Sequence, residues 1–137
     1  MIRICRSLSA AGYRVTLVGV NDKERLQEQP FTQKRLTVPF KKGFAFYAAY
    51  NIRLFWYLLF VKTDRFCCID LDTMLPVWLA SVLRGKPRVY DAHEFFSEMK
   101  EVITRPRVYR VWRWIEKTFL PRFRDGYTVS RGIAGEF

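Results

Sequence analysis

The stretch RVYDAHEFFSEM, residues 88–99, sets Asp91, the single histidine His93, and Glu94 and Glu98 directly behind an apolar run. A histidine beside carboxylates can move a proton or hold a sugar hydroxyl, and carboxylates alone can take a hard cation. A second acidic pair, Asp70 and Asp72, follows another apolar run in IDLDTM, residues 69–74. Only 13 of the 137 residues are Asp or Glu, so their concentration behind two apolar runs has two explanations. Either the chain simply meets water at those points, or the groups border a cleft.

The elements around them decide between the two. IRICRSLSAAGY places Ile4, Leu8 and Ala11 at helical spacing, with Gly12 as a stop. RVTLVGV (14–20) is a continuous β-branched run, the pattern of a strand covered on both faces. RLTVPF (35–40) reads as a short strand, residues 43–61 as a long helix and RFCCIDL (65–71) as a strand. Residues 73–85 read as a helix, with Asp72 or Thr73 as cap and Gly85 as stop. PRVYDA (87–92) is a strand, residues 105–119 a helix, DGYTVS (125–130) a last strand, and RGIAGEF begins another helix.

Strands separated by helices imply βαβ units, hence an α/β fold with a Rossmann-like, mainly parallel sheet flanked by helices. Ligands of such sheets sit beyond the carboxyl ends of the strands. Those ends carry Gly19 and Asn21, then Asp70 and Asp72, then Asp91, His93 and Glu94, then Ser130 and Arg131. Polar groups from successive strands therefore fall on one edge, which favours the cleft. The order also predicts a chain that opens inside a helix and closes one turn into the next, as a single partial domain over residues 1–137.

Several specific chemistries fit less well. Asp-x-Asp after an apolar strand is how haloacid-dehalogenase-type phosphatases present their nucleophile and acid. Here, however, Thr73 follows Asp72 directly and the motif comes midway along the chain. A helix N-terminus with Asp72 favourably placed at the dipole explains it equally well. One histidine with scattered carboxylates lacks a zinc ligand set, and Glu94, Glu98 and Glu101 read as a solvated acidic face.

The chain carries a formal net charge of +11, half of its residues are apolar and 17% are aromatic. Such a balance excludes disorder and favours anionic partners. In RPRVYRVWRWIEKTF, at 100° per residue, Val108, Val111, Trp112, Ile115 and Phe119 share one face. Arg107, Arg110, Arg113 and Lys117 share the opposite one with Trp114 at its border, a pattern suited to anionic headgroups. Nucleic acid is the rival partner, but zinc-finger spacing, RNP-type aromatics and a Gly-x-x-Gly clamp are all missing, so none is expected. The apolar helix 43–61 has Asn51 and Arg53 at its centre, where a charge costs about 3 kcal/mol on insertion scales. A buried core helix is expected there. Cys5, Cys67 and Cys68 are odd in number and form no metal spacing, which fits a reduced, cytosolic setting.

Taken in order, CRSLSAAGYRVTLVG, DLDTMLP, KPRVYDAHEFFSE, the RP at 105–106, WRWIEKTFLPRF and YTVSRGIAGEF resemble the N-terminal domain of family 4 glycosyltransferases of GT-B fold. The likeness is greatest to bacterial members that build surface polysaccharides, and it spans nearly the whole chain. It implies retaining transfer of a sugar from a nucleotide-sugar donor, the co-substrate, to a sugar or lipid-linked acceptor, without metal or other cofactor. It further implies that His93 faces the cleft beside the transferred sugar, flanked by Asp91 and Glu94, with Asp70 and Asp72 near the acceptor. Peripheral attachment to the inner face of the plasma membrane belongs to the same expectation. The family's first strand with its glycine-rich loop, and its donor-binding half with Glu-x7-Glu, find no counterpart in these residues. The 137-residue chain alone is therefore expected to be inactive. The competing expectation is a non-catalytic basic α/β module that binds anionic membrane or nucleic acid.

Overall fold

The computed structural model describes residues 1–20, 28–92 and 104–128. In order these form α1 (Ile2–Ala10), β1 (Thr16–Val20), β2 (Thr32–Leu36), α2 (Gly43–Phe60) and β3 (Phe66–Ile69). There follow a 3-10 turn (Leu71–Thr73), α3 (Met74–Leu83), β4 (Arg88–Ala92), α4 (Pro106–Phe119), a second 3-10 turn (Leu120–Arg122) and β5 (Asp125–Thr128). The fold is α/β and Rossmann-like, with every strand pairing parallel. The pairings make two sheets among the described residues, β1–β2 and β3–β4–β5, where the sequence pattern predicts one. The chain divides into two compact units, residues 1–53 and 54–137.

In the first unit, β1 and β2 run in register from Thr16 opposite Thr32 to Val20 opposite Leu36. The Arg35 guanidinium donates to the Val20 carbonyl at 2.9 Å. β2 starts and ends upstream of the predicted 35–40 strand. Pro39 has no N–H to give a ladder, and the Thr37 carbonyl accepts from the Arg53 side chain instead. α1 stops where the sequence places its stop: Gly12 sits at φ +89°, and the Tyr13 and Gly12 N–H groups bond back to Leu8 and Ser9. Only a residue without Cβ takes that left-handed turn cheaply.

In the second unit β4 is central, with β3 and β5 on either side. Successive side chains of a strand point to opposite faces, so Phe66, Cys68, Arg88, Tyr90 and Ala92 share one face. α3 lies on it, because Arg88 donates to Ser81 Oγ at 3.3 Å and Cys68 Sγ stands 3.5 Å from Thr73 Oγ1. Trp78 of α3 meets Phe119 of α4 edge-on at 5.0 Å, and Tyr90 meets Phe123 at 5.8 Å. Phe66, Cys68, Met74, Val77 and Ile115 are buried in this core. Each large apolar side chain removed from water there contributes about 2 kcal/mol. α3 ends on Gly85 at φ +59°, with the Lys86 N–H reaching the Ser81 carbonyl. Arg84 then donates to the Leu58 carbonyl in the last turn of α2 at 2.5 Å.

α2 corrects one expectation. Tyr50, Leu54 and Leu58 are buried on one side, yet Ile52, Trp56 and Phe60 on the other are 59%, 54% and 74% exposed. Apart from Asn51 and Arg53 it is apolar on both sides, yet large apolar side chains on one side stay exposed, so it is not the buried core helix its composition predicts. Among the described residues no helix is long and apolar enough to cross a membrane.

Candidate functional site

The register of the second sheet sets Ile69, Asp91 and Tyr127 side by side across the carboxyl ends of β3, β4 and β5. The ladder continues one step further, since the Asp70 N–H donates to the Asp91 carbonyl at 3.0 Å. Asp70 is the one non-glycine residue at positive φ among the described residues, at +53°. That conformation costs an L-residue about 1–3 kcal/mol and is held by its surroundings. Here Cys68 Sγ bonds the Asp70 carbonyl at 3.4 Å, and the Thr73 hydroxyl donates back to the Ile69 carbonyl at 2.6 Å. Thr73 is the residue before α3, but its side chain ties the turn to β3 and does not cap the helix. The sharp turn ends β3 at Asp70 and leads into the 3-10 turn that carries Asp72.

Asp72 is largely buried, and burial pushes its carboxyl up to about 6, with the charge of Asp70 adding to the shift. Asp72 therefore changes charge in mildly acidic to neutral solution, the range in which a carboxyl can both hold and release a proton. Asp91 is wholly buried. The Tyr127 hydroxyl donates to its Oδ2 at 2.8 Å. Its Oδ1 is buried with no hydrogen-bond partner among the described residues. Burial, followed by the bond to Asp91, pushes the Tyr127 phenol well above its ordinary range, so it remains a donor. Cys67 Sγ lies 4.0 Å from the same hydroxyl. Cys67 and Tyr127 both meet solvent on the sheet face opposite α3.

Next to this row, where β5 meets the second 3-10 turn, is a half-open cavity of about 350 Å³. Tyr90, Ala92, Leu120, Phe123, Gly126 and Thr128 line it. Gly126 lets β5 pack closely there, since a Cβ would stand 3.3 Å from the Tyr90 carbonyl oxygen, a tight contact. No group of three or more metal-ligating side chains occurs among the described residues.

Of the residues that the sequence nominates, Asp70 is joined through its backbone to Asp91 and lies within electrostatic reach of Asp72, while the Asp91 side chain is buried within β4. His93, Glu94, Ser130 and Arg131 lie outside the described residues. Tyr127 was not nominated. Its one advance signal is a position near the end of the last predicted strand, and its partner lies 36 residues away.

α4 follows its predicted bounds within a residue, and its solvent face differs in two respects. Arg107, Arg110, Lys117 and Trp114 are exposed, the last at 58%. Arg113, expected to be a further unpaired cation, binds Glu116 at 2.9 Å. Glu116 is itself buried beside Ile115, while Val108 and Val111 of the predicted apolar face are 37% and 47% exposed. Among the described residues the helix thus presents three exposed cations, Arg107, Arg110 and Lys117, around a tryptophan, with valine beside them.

No protein-family model matches the chain, and neither a curated protein nor a solved structure matches it.

Proposed function

We propose that this chain is the acceptor-side, Rossmann-like half of a retaining glycosyltransferase of family 4 type, moving sugar from a nucleotide-sugar donor to a saccharide or lipid-linked acceptor. The observation that carries the reading is that Asp70 and Asp72 follow β3 at the carboxyl end of a parallel sheet, with the Asp70 N–H bonded to the Asp91 carbonyl near the end of β4, the edge where α/β sheets bind ligands. Carboxylates held rigidly at such a rim accept hydrogen bonds from ligand hydroxyls, and the bonds are charge-assisted. Transfer through an oxocarbenium-like centre needs this kind of positioning more than it needs a metal. His93, one residue past β4, is the group the resemblance sets beside the transferred sugar.

The test is saccharide binding by the 137-residue chain, followed by saturation-transfer NMR with methyl glycosides and short oligosaccharides. The expected result is millimolar binding that survives EDTA and is lost in Asp70→Asn. Absence of saccharide binding, with oligonucleotide or vesicle binding in its place, overturns the reading.

A second reading concerns α4. Exposed Trp114 among Arg107, Arg110 and Lys117 favours peripheral contact with anionic lipid. Flotation with phosphatidylserine vesicles, weakened by salt and by Trp114→Ala, is the outcome this reading requires.

A further inference from the structure

Two helices of the second unit turn apolar side chains toward solvent. Trp56 and Phe60, near the end of α2, are 54% and 74% exposed, and their rings stack at 6.2 Å. α3 contains no charged residue, and Leu79, Val82 and Leu83 are exposed at i, i+3 and i+4, the spacing of one helix face. Arg84, directly after α3, donates to the Leu58 carbonyl in the last turn of α2, so the carboxyl ends of the two helices adjoin. A helix apolar on all sides is normally enclosed, and exposed apolar patches with a polar rim mark contacts with proteins or membranes. The rim here is positive. Lys62 and Arg65 are exposed directly past α2. The acid between them, Asp64, is paired with Lys86 at 3.7 Å. No other Asp or Glu occurs from residue 29 to 69, and none from 73 to 90.

We propose that the adjoining ends of α2 and α3 form a lipid-docking surface. Trp56, Phe60 and Leu83 enter the acyl boundary of a bilayer whose anionic headgroups meet Lys62 and Arg65. Charge selects this occupant over the others. A second copy of the chain would set the same cations against one another across the contact. A nucleic acid would satisfy the cations but gives the leucine and valine side chains no apolar medium. An anionic bilayer answers both, with aromatic rings at headgroup depth and basic side chains at the phosphates. The surface is distinct from the exposed face of α4, which has its own tryptophan and cations, and depends neither on that reading nor on sugar transfer.

The experiment is flotation of the 137-residue chain with vesicles of mixed phosphatidylglycerol and phosphatidylcholine. The wild type is expected to partition onto them, less so as salt rises and at least about tenfold less onto phosphatidylcholine alone. Trp56→Ser combined with Phe60→Ser should weaken partition by about tenfold or more, because two rings no longer leave water. Both rings are exposed, so the urea midpoint should stay near that of the wild type. Brominated acyl chains should quench tryptophan emission strongly in Trp114→Phe and much less in Trp56→Phe. Wild-type partition in the double variant, with loss in Trp114→Ala, overturns the proposal and leaves the α4 reading standing. Equal partition onto neutral vesicles overturns it too, as does a lipid-free dimer or an oligonucleotide complex that the double variant abolishes. A wild type that partitions onto no vesicle overturns this proposal and the α4 reading together.

Discussion

One face of the β3–β4–β5 sheet carries Phe66, Cys68, Tyr90 and Ala92, all at 5% exposure or less, and the other carries Cys67, Asp91 and Tyr127. The first is an apolar core face under α3. The second keeps one wholly buried carboxylate between an exposed thiol and a half-exposed phenol. Both come from the same short strands by simple alternation, so adjacent residues such as Cys67 and Cys68 have opposite environments. The difference teaches that the stability of this sheet and its chemistry sit on opposite sides. Substitutions can therefore address one without the other.

The sharpest break of that contrast lies on the core face. Phe66 is 4% exposed and its ring stands under the Arg84 guanidinium at 5.4 Å. Phe66→Ala removes both the packing and the cation's aromatic partner, and should cost about 3–5 kcal/mol of stability, as large-to-small core changes do. Urea denaturation followed by tryptophan fluorescence measures it. A loss under about 1 kcal/mol would mean that β3 is not seated on its helix as described.

Next comes the rim that joins the two faces. Asp72 has its carboxyl raised to about 6 from an ordinary 3.8, chiefly by burial. Between these values the folded state binds the proton and the unfolded state does not, so stability falls as pH rises through the window and then levels off. Asp72→Asn removes the ionisation. It should stabilise the chain at pH 7 by about 1–2 kcal/mol and flatten the stability profile between about pH 4 and pH 6. Unfolding midpoints across that range check it, and an unchanged profile places the titrating group elsewhere. A stabilising change at a polar strand tip is what a site kept for binding rather than for stability predicts.

Much of this arrangement is legible in the sequence, because it is local. Gly12 and Gly85 mark helix ends, and the β-branched and apolar runs mark β1, β3 and β4 to within two residues. The helical period over residues 105–119 finds α4. What escapes is non-local. The uniform hydrophobicity of α2 cannot say that Trp56 and Phe60 go uncovered, since no moment distinguishes its sides. That the strands form two sheets is a property of pairing, which periodicity does not encode. Tyr127 becomes notable only when the register sets it beside Asp91. The pairing of Arg113 with Glu116 is the exception, a charge pair at i, i+3 that helical geometry announces in advance.

The smallest effect sharpens the comparison most, because it uses two neighbouring residues of one type. Cys67 is exposed on the face of Asp91 and Tyr127, whereas Cys68 is wholly buried on the face of α3. Burial pushes the Cys68 thiol far above its ordinary range, outweighing its hydrogen bond to Thr73. The thiolate is the reactive form, so Cys68 should be inert to a disulfide reagent until the chain unfolds. Cys5 is also buried and should stay protected with it. Labelling of the native chain should therefore stop at one equivalent, and Cys67→Ser should abolish it while changing stability by no more than about 0.5 kcal/mol. Two fast equivalents would show that the core face opens as readily as the other, and the division between the faces would then describe no stable state of the sheet.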